Sequence, residues 1–515
     1  MNGSSGQFGA IAARGGEDAL RGRVRVTSPR WWDRLRAHRR WILIAAGVLA
    51  VGGVLGAVAW SKLFRKVPVE YAGEEDNFKY GSTGSEDKGG IPFYVWKVLP
   101  RVCPDLVPGP GGYAAFGMIY EPGHEQPIGF SVTRIGFPRI AINCAFCHAG
   151  TVRDSEEAPP RVVLGGSANQ LDAQGYLRFL FGCAADRRFS ADNIVAEMRR
   201  DGAPLSDLDE AIYRHLLIPQ TRKGLLQQRD DYAWTEGRPR WGRGRIEPFN
   251  PIKFNMLKLP VDPTLGMSDF MPLWKMTPGG ASYHWDGLNT DLGEVARSSA
   301  LGDGATHKSI ALANLERLQR WMIQKAPPRF PYPIDPALAA EGKRVFTAAG
   351  CADCHAPGGK RFRTVIPVDE PGLETDRHRV DMWTTQARDA YMRYADGYPW
   401  AFHHFQKSNG YVAVPLDGLW LRAPYLHNGS VPTLYHLLNP DQRVSRFYRG
   451  SDVPDPRRVG FVFQPPRDPA RAERFLQHTT ELDTTIPGNG NQGHTYGANL
   501  RPEDKDALIE YMKTL

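Results

Sequence analysis

Outside its first forty residues the chain carries little net charge. Residues 1–40 hold nine arginines against Glu17, Asp18 and Asp33, which is most of the formal net charge of +8. No basic stripe with interleaved aromatics follows, which excludes a nucleic-acid partner. Cysteine is scarce too, with six in 515 residues. The two CxxC pairs lie 207 residues apart, whereas paired zinc units normally lie about 15–20 apart, so a structural zinc protein is excluded. Neither pair sits in a βαβ context, as a thioredoxin-like redox motif would require. There is no β-rich pattern, and nothing repeats beyond those two units.

One long uncharged run is present. Residues 41–60, WILIAAGVLAVGGVLGAVAW, contain no ionisable side chain. Twenty helical residues span roughly 30 Å, the thickness of the bilayer hydrocarbon. Trp41 and Trp60 mark its ends, where amphipathic rings prefer the interface. The Arg-rich side precedes it, so the expectation is a single-pass anchor in the cytoplasmic (inner) membrane with the bulk in the periplasm. The rival is a cleaved signal peptide, since Ala57-Val58-Ala59 is an A-x-A site. Both send residues 61–515 out of the cytoplasm.

Four of the six cysteines fall in CAFCH, residues 144–148, and CADCH, residues 351–355. Haem has two vinyl groups, and two thiols spaced by two residues can each bond one of them. The adjacent histidine then reaches the iron. The expectation is two covalently bound haem c groups. Cys144, Cys147 and His148 would hold the first, and Cys351, Cys354 and His355 the second, with His148 and His355 as proximal ligands. Cys103 and Cys183 remain, to be paired in an oxidising compartment or left as buried thiols.

The expected organisation is a cytoplasmic basic tail (1–40), a transmembrane anchor (41–63) and a linker (64–90). A first haem domain (91–328) and a second cytochrome c-like haem domain (329–515) follow, divided at the proline-rich APPRFPYPIDP. Helical spacing marks 171–182 and 307–323. ALAAEGKRVFTAAG leads into Cys351, and PEDKDALIEYMKTL closes the chain with Leu508, Ile509, Met512 and Leu515 on one face. The fold class is mainly α with long irregular loops.

The far side of each iron decides function: two protein ligands make an electron carrier, and an open site admits peroxide or dioxygen. No methionine lies between Met392 and Met512, which removes most His/Met pairings for the second haem. His494, in GNGNQGHTYG, is the distal candidate, and His427, in APYLHNGS, is the alternative distal or neighbouring histidine. For the first haem His284, Met267, Met271 and Met276 remain open. Phe254, Phe270 and Trp274 read as pocket lining or plain core, and Trp96 as an electron relay or plain core. His403 and His404 read as exposed loop histidines or metal ligands.

Several blocks extend this reading: PFYVWKVLP with PGPGGY, GFPRIAINCAFCHAGT, YHWDGLNTDLGEVARSSALGDGAT, LDGLWLRAPYLHNGSVPTLYHLL and GHTYG. With them the chain resembles the bacterial dihaem cytochrome c peroxidase-like proteins, and within these the group containing the dihaem rubber oxygenase. The resemblance covers about 90–515. It implies a largely irregular chain around two haem domains, one haem with two histidine ligands in the second domain and one open to oxygen or peroxide. The peroxidases place a methionine shortly after the PYxHxG segment, and this chain has none there. The expected function is that of a haem oxidoreductase acting on a small-molecule oxidant, peroxide or dioxygen. One haem is reactive and one relays electrons from a redox partner protein, a cytochrome or quinol-linked donor. The alternative is a pure electron-transfer dihaem cytochrome. No side chain is singled out as a catalytic acid or base.

Overall fold

The uncharged run forms part of one helix, α1 (Trp31–Leu63), whose described apolar side chains are almost all exposed. His38–Leu63 within it is long and apolar enough to be a membrane span or a signal sequence. The computed structural model describes residues 31–277 and 281–515, and most of the Arg-rich tail lies outside them. The chain divides into two units, Met1–Ser61 and Lys62–Leu515.

Helices dominate the second unit, with long irregular segments between them. Its largest sheet is four-stranded. At its centre β1 (Phe130–Ile135) and β2 (Phe137–Ile142) pair as an antiparallel hairpin. Lys66–Val67 and Ile91–Pro92 add short edges on either side. Gly136 makes the turn with φ +70°, a conformation glycine adopts at little cost. This hairpin is not foreseen from sequence, because Pro138 and Gly136 interrupt the alternation that marks a strand. The hairpin leads directly into the first CxxCH turn, α2 (Ala145–His148).

The stretch 64–90 is not an exposed linker. Glu74–Tyr80 is helical, and it buries Phe78 and Tyr80. Phe78 stacks on Trp321 with ring centres 3.9 Å apart, so apolar contact outweighs the many charges around it. Helical spacing in 171–182 becomes Ala173–Ala185, capped by Asp172, which accepts from Gly175 N at 2.8 Å. The pattern over 307–323 yields a helix only from Leu312 to Gln324. There Thr306 and Ser309 bond each other's backbone and hold a turn instead. Further along, α3 (Leu292–Gly302) is capped by Asp291.

Beyond the proline-rich connector lie two helices that frame the second CxxCH. α4 (Pro336–Ala348) starts with Asp335 accepting from Ala337 N and Leu338 N at 2.9 and 3.0 Å, with proline at its first position. It ends one turn before α5 (Cys351–His355), with Gly350 left-handed between them. The last helix, α6 (Pro502–Met512), buries Leu508, Ile509 and Met512 against Val345 and Phe346, and Leu515 packs at the edge of the same cluster. α4 and α6 touch at Gly342, where an added Cβ would run into the Ala507 carbonyl. Strands β3 (Val365–Pro367) and β4 (Gly410–Val412) pair antiparallel nearby.

Candidate functional site

α5 delivers His355 with its ring oriented. Nδ1 donates to the Val414 carbonyl at 2.8 Å, since a carbonyl only accepts. That leaves the Nε2 lone pair free, the arrangement of a metal-bound histidine. Across from it stands His494, with ring centres 6.3 Å apart and planes tilted by 44°.

The His494 loop is built for that placement. His494 itself is left-handed at φ +47°, next to Gly493 at φ +79°. A Cβ on Gly493 would collide with the Leu373 carbonyl, so the loop lies flat on residues 372–373. His494 N donates to Leu373 O and Thr495 N to Gly372 O, both at 2.7 Å. From the other side the Arg443 guanidinium donates to the carbonyls of Asn491 and Gly493, at 2.5 and 2.8 Å. Desolvation pushes Arg443 down to about 10. Burial and then the neighbouring His355 push His494 to about 4, and burial also lowers His355. Both rings are neutral imidazoles, the form that ligates metal.

His427 goes elsewhere. It is buried and stacked on Tyr411 with centres 4.1 Å apart. The Tyr411 hydroxyl donates its one proton to the Asp376 carbonyl at 2.6 Å, so His427 Nε2–H donates to the Tyr411 oxygen at 3.1 Å. That nitrogen has no lone pair for iron.

The first CxxCH is held from its start. Asn143 Oδ1 accepts from Ala145 N at 3.0 Å, and its amide donates to the Gly81 carbonyl at 3.0 Å. Gly129, at φ +90°, lets β1 approach the Phe146 backbone. The carbonyls of His148 and Cys147 accept from Gly165 N and Ala168 N at 2.8 and 3.2 Å. Burial lowers His148 to about 4 against the opposing pull of the Met271 backbone, and Nδ1 meets no partner at full hydrogen-bond geometry among the described residues. Phe270 stands beside the ring, with centres 6.4 Å apart and planes at 62°. Burial raises both Cys144 and Cys147, so they are neutral thiols.

The remaining sequence candidates separate. Trp274 donates to the Leu164 carbonyl at 3.0 Å, and Phe254 packs against Trp234 with Lys253 and Arg238 over its ring. Met267 and Met276 are packed into the interior. Trp96 is core: it stacks on Tyr113 at 4.1 Å and donates to the Tyr176 hydroxyl at 2.9 Å. His404 joins Asp291 and Glu294, with ligand atoms within 4.8 Å of one another. Glu294 is already engaged there by Asn289, the amides of His403 and His404, and His404 Nδ1. Cys103 and Cys183 form a buried disulfide with Cα atoms 5.8 Å apart.

The donor set fits haem. Two imidazole nitrogens sharing a metal lie about 4 Å apart, twice a bond of about 2 Å. Adding the nitrogen-to-centre distance of each ring reproduces the His355–His494 spacing. The four CxxCH cysteines carry free thiols. Buried positive charge exceeds what nearby carboxylates bond. Among the described residues Arg422, beside His355, donates to the Asp417 backbone and to no carboxylate, and Arg245 is pushed down to about 9 by burial and by Arg449. Haem propionates are carboxylates that would offset such charge.

Residues 410–448 match the family model described as RoxA-like, cytochrome c-like. This match supports a RoxA-like cytochrome, for which covalently bound haem c is implied. The RoxA-like stretch holds Val414, which orients His355, and Arg443, which pins the His494 loop. The chain is also similar to two Sinorhizobium fredii proteins. It is 28% identical to uncharacterized protein y4iM, over 54% of this chain and 72% of that one. It is 29% identical to uncharacterized protein y4iJ, over 37% of this chain and 41% of that one.

Sequence reasoning misses Arg443, Val414 and Arg422. A carbonyl carries no sequence signal, and an arginine among sixty-four basic residues becomes notable only when the fold buries it.

Proposed function

We propose that the chain is an anchored, periplasm-facing c-type cytochrome with two covalent haems, acting on peroxide or dioxygen at the His148 haem. His355 and His494 would hold the haem that relays electrons, and a cytochrome or quinol-linked protein is the outside partner. Haem iron, when bound, supplies ligand binding and one-electron exchange.

The observation that carries this reading is an asymmetry. His355 faces a second imidazole at 6.3 Å, while the ring in contact with His148 among the described residues is Phe270, which cannot ligate. The chain's own residues divide the work. His494 and its Arg443-pinned loop close one face of the second centre and exclude exogenous ligands there. Phe270 keeps the first centre dry on its side. Val412 N, at the end of β4, donates to the Trp285 carbonyl at 2.8 Å, and Val414 O, two residues beyond the strand, holds His355, so residues 412–414 link the two regions.

Reduction of one peroxide consumes two electrons and two protons and releases two waters. The electrons come from the partner protein. The test is the optical and EPR spectrum of the matured exported unit with and without cyanide. One high-spin and one low-spin ferric haem, with only the former shifted by cyanide, is expected. Two low-spin haems indifferent to cyanide in both oxidation states would make the protein a pure carrier.

A further inference from the structure

His284 lies in the YHWDG turn with φ +63°, a left-handed conformation that ordinary residues rarely adopt. Tyr283 N donates to the Asn289 carbonyl at 2.9 Å and closes the turn. Both flanks of His284 tie it to the first CxxCH. Ala281 and Tyr283 pack in the same apolar cluster as Cys144 and Ala145. On the other side Trp285 donates its indole to the Asp269 carbonyl at 2.8 Å, and the next residue is Phe270, the ring beside His148.

The His284 Nε2 is buried and has no hydrogen-bond partner among the described residues. Phe249 stands edge-on to the ring at 5.4 Å and also carries the Arg379 guanidinium at 5.1 Å. Arg379 is buried and paired with buried Asp286 at 3.1 Å, while its Nε and Asp286 Oδ2 stay unpartnered. A strained backbone, an unsatisfied imidazole and a buried charge pair left partly unsatisfied together mark a place where the fold holds a side chain for use.

We propose that His284 is the distal group of the first haem, offering its imidazole as a hydrogen-bonding partner to a small ligand on that iron, with Arg379 fixed behind it by Asp286. The inference rests on the reading that CAFCH carries haem. A neutral imidazole both donates and accepts. Phe270 beside His148 and Phe249 beside His284 add apolar surface. The ligands His284 suits are small and hydrogen-bonding, such as cyanide, azide or peroxide.

The test uses the holoprotein with both haems and follows cyanide binding optically and by EPR. His284→Ala is expected to weaken cyanide at the first haem by about tenfold, the order of one charge-assisted hydrogen bond. The low-spin signal of the second haem should not change. His284→Asn tolerates the left-handed backbone and is expected to weaken cyanide in the same direction, because its shorter amide does not reach. Affinity within about twofold of the parent in both variants overturns the inference. So does a first haem that is low-spin in the parent and turns high-spin in either variant, since His284 would then be an iron ligand. Failure of the haem reading looks different: Cys144→Ala would leave the haem content unchanged.

Discussion

The Val412 amide donates to the Trp285 carbonyl at 2.8 Å. Two residues later Val414 accepts from His355 Nδ1 at the same distance. One three-residue stretch, the end of β4 and the two residues after it, thereby touches the residue after His284 and the histidine of the second CxxCH. The two motifs lie 207 residues apart in sequence, and residues 412–414 bring their surroundings together.

His494→Ala should turn the second haem from low-spin to high-spin while both haems stay covalently attached, as read by EPR and a pyridine haemochrome assay. His427→Ala should leave that spectrum alone, because its Nε2 proton is spent on Tyr411. The opposite pattern would move the ligand assignment to His427.

Arg443→Ala should loosen the loop that carries His494. Stranding the Asn491 and Gly493 carbonyls costs about 1–3 kcal/mol. The expected readout is a high-spin fraction that grows on mild heating, at temperatures where the parent stays low-spin. A spectrum that tracks the parent throughout would mean the loop holds itself.

Gly342→Val places carbon where the Ala507 backbone runs. Forcing α4 and α6 apart should cost about 1–3 kcal/mol or more and lower Tm. Gly224→Val provides the control for lost helix glycine, since nothing lies within 4 Å of that site. Equal Tm values for the two variants would show that the α4–α6 contact is slack.

Cys103→Ser should lower stability by about 2–5 kcal/mol, measured by denaturant unfolding, because the disulfide restrains the unfolded chain. Haem content should be unchanged, as neither Cys103 nor Cys183 belongs to a CxxCH. A thiol titration finding Cys103 free in the mature protein would contradict this.

Asp303, beside Cys144 and Cys147, is raised by desolvation from 3.8 to about 7. Its folded value lies above its unfolded one. The stability it contributes is therefore full below about 4 and lost as pH rises through 7. Asp303→Asn cannot ionise and should raise Tm at pH 8 while leaving Tm at pH 4 nearly unchanged. Parallel Tm profiles for parent and variant would rule out this linkage.

Much of this was legible in the residues. The uncharged run, both CxxCH turns, and the helices entering Cys351 and closing the chain all depend on neighbours within a few positions. Spacing and periodicity report such features directly. The hairpin feeding Cys144 and the burial of 64–90 were not legible, because each depends on partners far along the chain. Phe78, for instance, finds Trp321.

By itself, the sequence determined the two CxxCH turns and which histidine follows each pair of thiols, since those features are local. Only the tertiary structure separated His494, which stands across from His355, from His427, which is bonded to Tyr411. Both are single histidines in glycine-bearing loops, and choosing between them took a carbonyl at Leu373, a guanidinium at Arg443 and the one proton of Tyr411. The same holds for His284, which becomes notable through its burial, its strained backbone and the residues packed on either side of it.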